Sequence, residues 1–268
     1  MNIKVDDLSL NLELLKKQNP LVHNITNVVV TNVTANALLA IGASPIMAYA
    51  KEEMEDIVSI SNALVLNIGT LTKDIVDIMI LAGRIANKKG IPVVFDPVGA
   101  GASGLRSDVA QDIISNVKLS IIRGNESEIA NIYGIKLKTK GVDSSGKVED
   151  KVGLAKDLSL KTSSAVCISG KEDVITDGQD IFLVKNGDIA LTKMTGSGCI
   201  SSSVMGTFAA VDSNYLKASI TGALLIGICG ELAAKKSRLS GLFQLEFFNN
   251  LSLFDSNLLA EYAVFEKL

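Results

Sequence analysis

The chain has 268 residues, of which 47% are apolar, none is tryptophan, and the formal net charge is −3. That length suffices for one large domain with a substantial core. The near-balanced charge, with no long basic or acidic run, argues against a nucleic-acid footprint or a polybasic membrane surface. Cys167, Cys199 and Cys229 are too widely spaced for a disulfide framework or a zinc site, and a single histidine, His23, excludes a multi-histidine metal centre. The opening stretch MNIKVDDLSLNLELLKKQNP carries acids and lysines among its leucines, unlike a secretory leader. Within it, Leu8, Leu12 and Leu15 recur at helical spacing before Pro20.

PLVHNIT (20–26) reads as a strand, and VTNVTANALLAIG (30–42) as a helix closed by Gly42. PIMA (45–48), KEEMEDIVSI (51–60), ALVLNIG (63–69) and TKDIVDIMILAGRIANKKG (72–90) continue the alternation of apolar runs and helical patterns. IPVVFD (91–96) precedes a glycine-rich loop and a helical segment over 105–117; LSIIR (119–123) leads into GNESEIANIYG (124–134). After a helical stretch at 149–162, AVCIS (165–169) restarts the sheet. Asp177-Gly178 and Asn186-Gly187 are tight-turn dipeptides that predict antiparallel hairpins at one edge, and 199–268 reads as nearly all helical.

The most apolar run, ASITGALLIGICG (218–230), is too short to span a bilayer, so no membrane partner is expected and a cytoplasmic protein is the default despite a mean hydropathy of +0.34. Continuous apolar strands between helices predict a mostly parallel sheet covered on both faces, with an antiparallel edge, in one α/β domain spanning residues 1–268.

Open sheets of this kind bind ligands beyond the carboxyl ends of their strands. That rule selects Asn27, Met47, Asn67 to Thr70, Asp96, Arg123 to Glu128, Ser169 and the loop 195–199. In KMTGSGCISSSVMG (193–206), Gly196, Ser197 and Gly198 open a helix whose first N–H groups and positive dipole end suit a phosphate; an ordinary glycine loop reads the same way. Cys199 lies in that helix's first turn, where the dipole should lower its thiol pKa and make it a base or nucleophile, although free cysteines more commonly serve as packing. Asp96, before Pro97 and three glycines, suits Mg²⁺ held through water, or simply an Asp-Pro turn. Arg123 suits phosphate oxygens and Glu128 suits magnesium, while Asn125 and Glu128 also have the spacing of a capping box. A Walker P-loop is absent, and His23 receives no catalytic role.

Taken together, PLVHNITNVVVTNVTANALLAIGASPIMAYAKEE, ALVLNIGTL, PVVFDPVGAG, IIRGNESEI, ISGKEDVITDG and TGSGC resemble the hydroxyethylthiazole kinase family, over about residues 8 to 235. The resemblance implies a ribokinase-like three-layer sandwich and Mg²⁺- and ATP-dependent phosphorylation of 5-(2-hydroxyethyl)-4-methylthiazole in thiamine biosynthesis or salvage. It also implies a homotrimer with active sites at subunit interfaces. By motif it places Asn27, Met47 and Gly196 against the thiazole, Arg123 and Ser169 on ATP, Asp96 and Glu128 near the magnesium, and Cys199 as the catalytic base. Ser169 stands where threonine is usual, and Ser197 replaces the threonine of a Gly-Thr-Gly-Cys loop; both keep the hydroxyl. A pyrimidine-alcohol kinase and a dehydratase acting on hydrated nicotinamide cofactors are the rival enzyme readings, and a non-catalytic binding module is the third.

Overall fold

Each central strand sends alternate residues to opposite sides, and both sides are covered. The computed structural model describes residues 2–135, 139–140, 143–144 and 150–268. The first half runs α1 (Val5–Gln18), β1 (Leu21–Ile25), α2 (Thr31–Ile41), β2 (Ser44–Ile46), α3 (Met54–Ile60), β3 (Ala63–Asn67), α4 (Lys73–Lys89), β4 (Val93–Asp96), α5 (Gly104–Asn116), β5 (Ile121–Asn125) and α6 (Glu126–Tyr133). A two-stranded ribbon, β6 (Thr139–Lys140) with β7 (Asp143–Ser144), precedes α7 (Lys151–Thr162). Then follow β8 (Ala165–Ser169), β9 (Asp173–Thr176), β10 (Ile181–Val184), α8 (Ser197–Val211), α9 (Tyr215–Lys236), α10 (Ser240–Leu253), α11 (Ser256–Tyr262) and β11 (Phe265–Lys267). Residue 149 of the expected helix over 149–162 lies outside the described residues.

The main sheet has nine strands in the order β11-β10-β9-β8-β5-β4-β3-β1-β2. From β2 to β8 every pairing is parallel; β8–β9, β9–β10 and β10–β11 are antiparallel. This is the three-layer α/β sandwich with an antiparallel edge. On β3, Ala63 and Val65 join the core layer formed with α1, α2, α8, α9 and α10, while Leu64 and Leu66 join the layer formed with α3 to α7. A strand buried on both faces has no polar side, hence the unbroken apolar runs. Gly42 ends α2 at φ 93°, as its place in the sequence requires.

Three expectations change. Asp177-Gly178 does turn the chain between β9 and β10, with the Asp177 carboxylate accepting N–H bonds from Gln179 and Asp180. Asn186-Gly187 does not form a hairpin: the chain leaves β10 into a short 3-10 helix (Ile189–Lys193), and β10's outer partner is the C-terminal β11. The tail is therefore helical only as far as Tyr262. Finally, the apolar run 218–230 belongs to a 22-residue helix that is long and apolar enough to cross a membrane by length and composition. Yet 83% of its most apolar window is buried inside the protein, where α9 packs between α8 and α10 and against the sheet. Its hydrophobicity serves the core.

Candidate active site

The polar residues selected from the strand ends converge on one edge of the sheet. Asn27 follows β1, Asn67 and Asp96 end β3 and β4, Arg123 lies within β5, Asn125 ends it, and Ser169 ends β8. Above them α8 begins, with Gly196 at φ 89° as its N-cap. A side chain at Gly196 would strike Val30, and one at Gly198 would come within 2.6 Å of Arg123 Nη1, so both glycines permit a close approach.

Hydrogen bonds link the helix start to the β4 carboxylate. Asn27 Nδ2 donates to Asn67 Oδ1 at 2.9 Å and to Cys199 Sγ at 3.4 Å. Asn67 Nδ2 donates to Asp96 Oδ2 at 2.9 Å, and Ser202 Oγ donates to the same oxygen at 2.7 Å. Among the described residues, Asp96 Oδ1 is buried and has no partner. Glu128 closes the capping box with Asn125 and also accepts the Gly99 N–H at 2.8 Å, so it ties α6 to the glycine-rich loop after β4. Arg123 Nη2 donates to Ser169 Oγ at 2.9 Å. Both residues line a cavity of about 660 Å³, together with Ser197, Gly198, Asn186 and Ala223.

Burial pushes the Asp96 carboxyl above its usual range, against the pull of Arg123 and the hydrogen bonds from Ser202 and Asn67. Glu128 is pushed up to about 7, first by burial and then by the Asp96 charge. Burial works against the charge of Arg123, but Asp96, Cys167, Asp173 and Glu128 together hold its pKa above the ordinary value. Cys199 departs from expectation. Burial, followed by the Asp96 carboxylate, pushes its thiol up to about 12, where the helix dipole alone would have lowered it.

This constellation is a pair of buried carboxylates, an arginine and a glycine-opened helix at the carboxyl edge of a mostly parallel sheet. The sequence model of the hydroxyethylthiazole kinase family matches residues 12–257. The chain belongs to that family. A hydroxyethylthiazole kinase protein from Pyrococcus horikoshii OT3 is 36% identical, with 98% of this chain and 99% of that one covered and a TM-score of 0.91. The pyridoxal kinase of Staphylococcus aureus in complex with ADP (15% identical, 78% and 87% covered, TM-score 0.63) shares the fold. So does the ADP complex of Bacillus subtilis pyridoxal kinase (17% identical, 79% and 91% covered, TM-score 0.61).

In this kinase Met47 lies just past the edge strand β2, half-buried, next to Ala48, whose carbonyl accepts a hydrogen bond from His23 Nε2 at 3.0 Å. His23 is fully buried, and burial holds its pKa down, which suits a structural donor. Two participants carry no assignment from sequence, and a third, Asn67, is selected only as a strand-end position. Asn67 joins Asn27 to Asp96, Ser202 is the second donor to Asp96, and Arg106 donates to the carbonyls of Ile68 and Val98 at 2.6 and 2.7 Å and to that of Gly69. Ser202 had a signal: three consecutive serines, Ser201 to Ser203, interrupt a buried apolar helix one turn after the thiol. Arg106 had none, because its partners are backbone carbonyls, which carry no side-chain signature.

Proposed function

We propose that this kinase transfers the γ-phosphoryl group of ATP to the primary hydroxyl of 5-(2-hydroxyethyl)-4-methylthiazole, in thiamine biosynthesis or salvage. The observation that carries the reading is the hydrogen-bonded chain from Cys199 through Asn27 and Asn67 to Asp96, beside a helix start and Arg123. Asn27, Met47 and Gly196 contact the thiazole. Arg123 and Ser169 hold the triphosphate across the cavity, and Gly196, Ser197 and Gly198 leave room for the transferring group at the helix start. The hydroxyl is held in line, and the dipole end of α8 with Arg123 stabilises charge spread over the phosphoryl oxygens.

The carboxylates fit a magnesium ion. Asp96 Oδ1 is buried and unpartnered, and Glu128 lies close enough for the Asp96 charge to raise its pKa. Magnesium at phosphoryl-transfer sites is commonly held by one or two carboxylates, waters and substrate phosphates. Bound there, Mg²⁺ would neutralise charge on the polyphosphate. Cys199 is the proton acceptor we assign to the hydroxyl; with its thiol at about 12 it is mostly protonated at rest, so positioning contributes more than proton removal.

The site is completed in a homotrimer, a reading supported by Val28 and Val29, which are 74% and 63% exposed immediately beside Asn27. The chain acts as one domain in the cytoplasm. The test is incubation with ATP, Mg²⁺ and the thiazole alcohol, followed by mass spectrometry for the phosphate ester. Phosphorylation of a hydroxymethylpyrimidine in preference to the thiazole, or nucleotide binding with no turnover of either alcohol, would reject the assignment.

A further inference from the structure

Asn186 lines the nucleotide-sized cavity, yet its side chain is fully engaged by other parts of the protein. Its Nδ2 donates to the Glu231 carboxylate of α9 at 3.1 and 3.3 Å and to the Tyr262 carbonyl at 2.9 Å. Its Oδ1 accepts the Val264 N–H at 2.7 Å. Glu231 also accepts the N–H of Gly187 at 2.8 Å, and Lys185 N donates to the Val264 carbonyl at 2.9 Å. Gly227 lets α9 press against the same loop: a Cβ there would lie 2.5 Å from the Asn186 carbonyl oxygen. Asp188, the next cavity-lining residue but one, is fixed in turn by Arg238 at 2.7 Å.

Among the described residues the wall segment 186–188 therefore has no ladder partner on the cavity side and takes its position from α9 and from the last residues of the chain. Those residues, Tyr262 to Lys267, lie beyond the part of the chain that the family sequence model matches. They reach the site because β11 pairs with β10 and brings Val264 against Asn186.

We propose that Asn186 is a positioning residue, and that with Glu231 and the C-terminal strand it forms a clamp that sets the nucleotide-side wall of the active site. The proposal rests on placing ATP in this cavity. A buried amide whose donors and acceptor are all used by the protein offers a ligand no hydrogen bond of its own; it offers a fixed backbone. Loosening it allows the wall to adopt several positions, and the ligand must then select one of them, which lowers its apparent affinity. The thiazole side of the site, at Asn27 and Met47, depends on other strands and should be insensitive.

Steady-state kinetics of the full-length kinase test this with Asn186→Ala, Val264→Pro, which deletes the single N–H donated to Asn186, and a truncation after Tyr262. The expected result is a rise of about tenfold in the KM for ATP, the scale of one or two lost buried hydrogen bonds. The thiazole KM and kcat should stay within about twofold of the parent, since neither depends on this wall. Combining Asn186→Ala with the truncation should add little to either alone, because both break one unit. Should the truncation fail to fold, Val264→Pro and Glu231→Gln decide the matter.

An unchanged ATP KM in these variants overturns the clamp, as does a parallel loss in both KM values, kcat and melting temperature, which is the mark of a merely structural role. Arg123→Gln separates the two readings. If it raises the ATP KM while the Asn186 variants do not, the clamp is wrong and the cavity assignment stands. If Arg123→Gln also leaves the ATP KM unaltered, the nucleotide binds elsewhere and both fall.

Discussion

Burial and the Asp96 carboxylate push the Cys199 thiol up to about 12, so only a small fraction is thiolate at pH 8. Alkylation of Cys199 by iodoacetamide in the ligand-free kinase should therefore be slower than alkylation of an unstructured cysteine peptide, as followed by intact mass. Rapid labelling at pH 7 would show that the helix dipole outweighs burial. Cys199→Ala should slow turnover toward the lower end of the ~10²–10⁴-fold range of general-base assistance, while Cys199→Asp sustains it. Glu128 supplies a pH effect of its own. Its folded-state pKa of about 7 lies above the ordinary 4.5, so the fold binds that proton more tightly than the unfolded chain does. The resulting stability is present below about 4.5 and disappears as the pH rises through 7. Across that window the parent should lose stability relative to Glu128→Gln, a comparison that cancels the titrating groups remote from Glu128. Urea unfolding of both proteins at pH 5 and pH 8 measures it, and an unchanged difference would mean the carboxyl titrates normally.

The helix α8 joins core and chemistry, and its glycines separate the two tasks. Gly206 packs against β3: an added Cβ would lie 2.7 Å from Val65 Cγ2, inside a fully buried layer. Gly206→Ala should destabilise the protein by about 1–3 kcal/mol through overpacking, measured by denaturant unfolding, with both KM values preserved. Gly198 faces the guanidinium end of an arginine side chain instead: an added Cβ would lie 2.6 Å from Arg123 Nη1. Gly198→Ala should leave unfolding nearly untouched and lower kcat/KM for ATP by displacing the guanidinium. If the two substitutions have the same effect, α8 does not divide its faces in this way. The neighbouring loops obey a similar logic, since Arg106 fastens the turns after β3 and β4 by binding the carbonyls of Ile68, Gly69 and Val98.

For the whole molecule, exposed apolar residues beside the site bear on assembly. Val28 and Val29 stand beside Asn27, the proposed thiazole contact, and are largely exposed in a single copy of the chain. A homotrimer that covers them would give three times the 28.3 kDa chain mass in light scattering. Val28→Asp should then dissociate the assembly and raise the thiazole KM together. A monomeric parent with full activity would exclude the interface reading. The other unusual whole-chain feature, the apolar helix α9, is explained by its burial between α8, α10 and the sheet.

The sequence by itself determined the parts of this protein that depend on local pattern. Unbroken apolar runs specified strands covered on both faces, glycines specified helix ends, and Asn125 with Glu128 specified a capping box that forms as spaced. The strand-end rule brings Asn27, Asp96, Arg123, Glu128 and Ser169 to one edge from the strand pattern alone. Tertiary structure alone decided what depends on distant partners and on solvent exclusion. Asn186-Gly187 has the composition of a hairpin turn, but its side chain is claimed by Glu231 and by the backbone of residues 262 and 264, so the chain takes another course. Cys199 sits where a dipole favours thiolate, but the surrounding packing removes water and sets a carboxylate nearby, and both raise its pKa. A residue's neighbours in sequence fix its backbone; the energy of its charge is fixed by what excludes water from it.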